Sequence, residues 1–327
     1  MAEIFDTLLL LALPASGKSE VRNFLTNKDP ELFHMGETIQ LDDYPYVHVQ
    51  LLIDEALVEL GEPRIYHHED DAGGRNGPFI DSFDWSALIE LLNEDYHEIL
   101  TGKAENPKSA AMRLFERLDA ASVRVGGRAK IADLSKDVRS KLEDKLEAEA
   151  RELFDDKIKN VMKSREGKTI VIEFSRGGPV GVRPLPEHYG YAGSLPYLSD
   201  ELLKRAAILY IWVTPEESRR KNRERARPGE DKSILFHGTP ESVMLQDYGS
   251  DDMLELMEAS DRDHTRRIEA HGQVYHVPVA RFDNRRDLTT FARKDPKDWT
   301  KEEVEALDNG IRDAALKLWD VYKSSHA

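Results

Sequence analysis

The chain alternates short apolar runs with amphipathic stretches. Residues 5–12, 169–174, 207–213 and 274–279 are apolar-rich runs of strand length. Runs with so little polar alternation predict strands covered on both faces, as in a parallel sheet. Each is followed by a polar or Gly/Pro-rich segment and then by helical periodicity, which is the βα alternation of a doubly wound α/β fold. A shorter apolar stretch ending in Gln40-Leu41 reads as a second strand.

The helical stretches carry their own punctuation. Val21, Phe24 and Leu25 mark a helix after the first run, and Leu51, Leu52, Ala56 and Leu60 mark another, stopped by Gly61. Asp84 stands as an N-cap before Leu88, Leu91, Leu92 and Ile99. Between 106 and 165 the composition shifts to Ala, Glu, Lys, Arg and Leu. Val138, Leu142, Leu146, Leu153 and Ile158 predict one long helix there, separated by Gly126-Gly127 from the helix before it. Residues 103–167 therefore read as a helical insertion in a core formed by 1–102 and 168–327. The solvated charges on its outer face need no function of their own. Thr300-Lys301-Glu302-Glu303 is a capping box opening a last helix with Val304, Leu307, Ile311, Leu318 and Trp319 on one face. Trp319 reads as core packing.

Charge and composition narrow the class. The 327 residues are 40% hydrophobic, enough for a sizeable core. A formal net charge of −16 repels a phosphate backbone and speaks against a nucleic-acid partner. With no cysteine, disulfides, thiolate metal sites and a cysteine nucleophile are excluded. No stretch approaches the roughly 20 apolar residues of a membrane span. Leu8 to Leu13 follows acidic Glu3 and Asp6 and reads as a buried strand rather than a signal peptide. The expectation is a cytoplasmic protein without membrane contact; a homodimer stays open.

The candidate chemistry begins where the first run ends. Ala12-Leu13-Pro14-Ala15-Ser16-Gly17-Lys18-Ser19 matches the phosphate-loop pattern G-x-x-x-x-G-K-[ST] in every defined position but the first, where Ala12 replaces glycine. Backbone N–H groups of such a loop cradle phosphate oxygens at a helix N-terminus. Lys18 would reach the β/γ-phosphates and the Ser19 hydroxyl would ligate magnesium. Ala12 stands where glycine mainly eases a turn, so it adjusts the loop without removing its phosphate-facing part.

Other residues fit around that loop. Glu173 ends a strand at the edge where α/β sheets bind ligands, and it could hold magnesium or its waters. Its alternative role is a capping or surface acid. Arg176 could meet a phosphate or an anionic substrate group. Asp42 and Asp43 beside Tyr44 suit an acceptor site, with one carboxylate taking the proton of an attacking hydroxyl; an Asx turn before Pro45 is the alternative. Thr214-Pro215-Glu216-Glu217 is a second capping box. It opens a helix with Arg219, Arg220, Arg223, Arg225 and Arg227, which could neutralise a moving phosphoryl group or be a solvated face paired with Glu216, Glu217 and Glu224. His67-His68-Glu69-Asp70-Asp71, leading into Gly73-Gly74-Arg75-Asn76-Gly77-Pro78, reads as a substrate-side or solvated loop in preference to a metal site.

Taken in order, these pieces resemble the P-loop kinases of small molecules, and within them the uridine kinase and phosphoribulokinase branch. The resemblance rests on Ala12–Ser19, Leu41-Asp42-Asp43-Tyr44, Asp81-Ser82-Phe83-Asp84-Trp85 with Leu88, Ile172-Glu173, the stretch from Val213 to Arg227, and Val277 to Asn284. It implies a three-layer P-loop NTPase fold, ATP and Mg2+ as cofactors, and a small-molecule acceptor. It also implies an aspartate base (Asp42 or Asp43), Asp81 touching the acceptor, and Asn284 in the loop that contacts adenine. Residues 101–167 have no counterpart in it. The function expected is transfer of the γ-phosphoryl group to a nucleoside, nucleotide or sugar-type hydroxyl. The alternatives are a nucleotide-dependent switch protein that binds without an acceptor, and a scaffold presenting the insertion to a partner.

Overall fold

The computed structural model describes residues 3–26, 28–70, 77–225 and 238–326. The strands are β1 (Thr7–Leu11), β2 (Glu37–Asp42), β3 (Lys168–Phe174), β4 (Ala206–Trp212), β5 (Thr265–Ala270) and β6 (Gln273–Asp283). They form one six-stranded sheet in the order β2-β3-β1-β4-β6-β5. Every pairing is parallel except β5 with β6. The helices are α1 (Lys18–Thr26), α2 (Pro30–Phe33), α3 (Tyr44–Glu59), α4 (Phe83–Thr101), α5 (Ala110–Arg124) and α6 (Lys136–Val161). They continue with α7 (Gly190–Ser194), α8 (Asp200–Leu203), α9 (Pro215–Arg225), α10 (Glu241–Gln246), α11 (Met253–Glu258) and α12 (Lys301–His326).

The apolar runs lack alternation because both faces of the sheet are covered. Leu8 and Leu10 pack with Val21 of α1 and Leu307 of α12, while Leu9 and Leu11 pack with Ile89 and Leu92 of α4. Successive strand residues point to opposite faces, so each run is hydrophobic throughout. The last strand runs past the expected 274–279. Its first half pairs antiparallel with β5 and its second half parallel with β4, from Ile208↔Val279 to Trp212↔Asp283.

Several local readings change. The helix expected from Leu51 begins at Tyr44, with Pro45 in its first turn, where the missing N–H is not needed. Asp84 is not an N-cap: Ser82 holds that position, and Asp84 is buried in an ion pair with Lys130. The Thr300–Glu303 box is present, with Glu303 N donating to Thr300 Oγ1 (3.2 Å) and Thr300 N to Glu303 Oε2 (3.0 Å). Only half of the Thr214–Glu217 box forms; Glu217 N donates to Thr214 Oγ1, but its carboxylate turns to Arg220.

Helices α5 and α6 share an apolar cluster with α3 and α4, in which Leu118 and Phe154 meet Tyr46, Ile53 and Leu88. A buried charge cluster ties the same elements. Arg117 bonds Glu94 (2.7 Å) and Asp95 (2.8 Å), Lys157 meets Asp95 at 2.7 Å, and the Tyr46 hydroxyl donates to Asp95. Among the described residues no helix is long and apolar enough to cross a membrane.

Candidate functional site

The site forms at the C-terminal ends of the parallel strands. The chain leaves β1 for β2 on one side and, after β3, crosses to β4 on the other. Such a switch point opens a crevice beyond the strand ends. The loop 12–19 turns there with Ala15 at φ 57° and Gly17 at φ 100°. A Cβ on Gly17 would also lie 2.4 Å from Thr289 Oγ1, so both backbone shape and space require glycine. The loop carbonyls are tied from behind: Ser218 Oγ donates to Pro14 O (2.7 Å) and Asn284 Nδ2 to Ser16 O (2.8 Å). The N–H groups of Gly17, Lys18 and Ser19 have no acceptor among the described residues. They open α1, where unpaired donors and the helix dipole favour an anion.

Lys18 Nζ lies 3.4 Å from Ala12 O and 2.5 Å from Ser175 Oγ. Loss of water around it lowers its pKa, outweighing the attraction of Glu173, Asp42 and Asp43. Parallel pairing of β2 and β3 sets Asp42 opposite Glu173. Asp42 accepts from Tyr44 N (2.8 Å), and its pKa is pushed up to about 7, first by enclosure and then by Asp43 and Glu173. Glu173 pairs with Arg22, one helical turn beyond Lys18 on α1. Among the described residues no group of three or more His, Asp and Glu side chains is arranged to hold a metal.

Asp43 lines the cavity beside Asp42 with its carboxylate held by Arg176, which does not itself line it. Arg176, 1% exposed, donates to Asp43 Oδ2 (2.6 Å), Ser194 Oγ (3.0 Å), Ser175 O (2.7 Å) and Trp85 O (3.0 Å). Its donors are committed inside the protein and it does not reach outward for an anion. Of the two adjacent acids Asp43 is held in that ion pair, while Asp42 stands with Glu173 near Lys18.

A cavity of about 840 Å³ extends from Lys18 and Ser19 past Asp42 and Tyr44 to a wall of aromatic rings. His67 stacks on Phe79 (4.4 Å between centroids), Phe79 meets Trp85 edge-on (4.6 Å), and Trp85 meets Tyr248 edge-on (5.4 Å). Asp54 fixes His67 by accepting its backbone N–H (2.8 Å) and bonding Nδ1 (3.1 Å). Asp247 lies on the same wall.

Other expected site residues stand outside the cavity. Asp81 accepts Phe83 N (3.0 Å) in a turn before α4 and does not line it. Asn284 is buried behind the loop, bonded to Ser16 O and to Thr289 Oγ1 (2.9 Å), so it supports the loop and presents nothing to a base. Arg219 pairs with Glu216, Arg220 with Glu217, Glu224 and Asp287, and Arg223 with Glu241, all away from the cavity. The arginine of α9 that does line it is Arg225, whose pKa burial pulls down. Arg227 and residues 71–76 lie outside the described residues.

Arg22, Phe79, Asp247 and Tyr248 carry no role in the sequence-based expectations; Arg225 stands there only as one of five arginines on its helix, and Trp85 only within the Asp81–Trp85 element. Arg22 had a usable signal, its i+4 spacing from Lys18; the wall residues come from separated segments with no shared pattern. Family models, curated proteins and solved structures contain no match to this chain.

Proposed function

We propose that the protein is an ATP-dependent kinase of the P-loop type, transferring the γ-phosphoryl group of Mg-ATP to a hydroxyl of a small acceptor in the cytoplasm. The observation that carries this reading is one cavity joining an anion-ready helix start, with Lys18, to a carboxylate and an aromatic-walled far end. The N–H groups of Gly17, Lys18 and Ser19 and the Lys18 ammonium suit the β/γ-phosphates. Asp42 would take the acceptor's proton as its oxygen bonds the γ-phosphorus, the bond to the β-bridging oxygen breaks and ADP leaves. Arg176 holds Asp43 and so sets the turn that aims Asp42.

Ser19 and Glu173 are the residues that would hold magnesium. The donor set is all oxygen, and the negative charge that Asp43 and Glu173 place beside Asp42 is one that a hydrated divalent cation would relieve. Bound magnesium would supply neutralisation of phosphate charge. A nucleotide switch needs the loop alone; the room beyond Asp42 favours a second substrate. Lys18→Ala is expected to abolish ATP turnover with the circular dichroism spectrum preserved. Phosphoryl transfer at the wild-type rate in that variant would sink the proposal.

A further inference from the structure

Two residues that line the cavity each bury a polar atom with no hydrogen-bond partner among the described residues: Asp247 its Oδ1 and Trp85 its Nε1. Buried polar groups are nearly always satisfied, so each exception calls for a reason. Asp247 is 1% exposed, and among the described residues its side chain makes a single, long bond, accepting Phe79 N at 3.4 Å through Oδ2. It follows the last residue of α10, an end where a carboxylate gains nothing from the helix dipole. The fold by itself gives this acid no partner worth its burial.

The lysine and arginine that line the cavity, Lys18 and Arg225, lie at one end, the phosphate end, among Asp42, Asp43 and Glu173. None of the described lysines or arginines lines the wall beside Asp247. Tyr248 lies between, feeling Asp42, Asp43 and Arg176 as well as Asp247. An acceptor bearing a phosphate or carboxylate at this end would meet a buried acid with no lysine or arginine among the described residues beside it.

We infer that the distal wall selects an acceptor without negative charge that presents an amine or ring N–H to Asp247 and a hydrogen-bond acceptor to Trp85 Nε1, its flat ring lying against Phe79, Trp85 and Tyr248. The assignment rests on the kinase reading for the reacting hydroxyl beside Asp42. Flat rings are held by such edge-on aromatic walls, and the paired donor and acceptor fix their orientation.

Calorimetric titration of the full chain without nucleotide tests the wall directly. The probes share one ring and one hydroxyl and differ in charge: 4-(aminomethyl)benzyl alcohol and 4-(hydroxymethyl)benzoate. The amine is expected to bind at least about tenfold more tightly. Asp247→Asn should erase that preference while the melting curve shows a folded protein. Equal or reversed affinities in the wild type, binding of neither probe, or a preference that survives in folded Asp247→Asn would each overturn the inference. If Asp247→Asn does not fold, the wild-type comparison decides. Product analysis with Mg-ATP separates the two readings. An intact amine preference with no phosphorylated product removes the kinase and keeps the wall assignment. Equal phosphorylation of both probes removes the wall assignment and keeps the kinase.

Discussion

The two ends of the cavity are built in opposite ways. The end at Lys18 is made from consecutive residues, 12–19, whose carbonyls are bonded from behind and whose N–H groups point forward unpaired. The far end is assembled from Phe79, Trp85 and Asp247, brought together from three segments, and its unpaired atoms are side-chain atoms. Backbone donors bind any phosphate; side-chain groups discriminate between partners. The contrast separates a general function at one end from a selective one at the other.

Substitutions at Asp42 and Asp43 test this division most severely, because adjacent acids should fail differently. Asp42→Asn is expected to lower kcat by about 10²–10⁴ with little change in KM for ATP. Asp43→Asn leaves Arg176 buried without its counter-charge. It is expected to cost about 3–5 kcal/mol of stability, read by denaturant unfolding. Equal kinetic losses with equal stability would dissolve the distinction.

Asp247 gives a pH-dependent effect at the far end. Burial pushes its pKa from 3.8 up to about 7, so the folded state holds the proton more tightly than the unfolded chain. Its ionisation therefore removes stability as pH rises from about 4 to about 7. Asp247→Asn should be more stable than the wild type by about 1–3 kcal/mol above pH 7, with the gap closing toward pH 4. A gap independent of pH would mean that the carboxylate is satisfied.

The arginines of α9 provide the smallest effects and an internal control. Arg225→Ala should lower kcat roughly tenfold through loss of a cation at the phosphate end. Arg223→Ala should change kcat by less than about twofold and stability by under about 1 kcal/mol, as for an exposed ion pair. Equal kinetic losses would place the whole helix face at the site.

The same contrast explains what could be read from sequence. β1, β3 and β4 were legible because burial on both faces writes continuous apolar runs, and the loop was legible because its residues are contiguous. β5 was not: Thr265–Ala270 is a polar edge strand with only Thr265 and Ile268 buried. The arginine run was visible as a cluster. Which member faces the cavity depended on where α9 ends and on carboxylates elsewhere, such as Asp287 and Glu241. Arg176 looked like an outward cation because its partners, Asp43 and Ser194, are distant in sequence. Trp85 and Asp247 become neighbours of one cavity only after the fold closes.

The central claim is that the loop and Asp42 serve one reaction between two substrates. Phosphorus NMR of the wild-type protein with Mg-ATP and a panel of neutral and amine-bearing ring alcohols tests it most directly. The account predicts a phosphomonoester resonance growing in step with ADP and dependent on the added alcohol. Release of inorganic phosphate alone, at a rate indifferent to the alcohol, would contradict it.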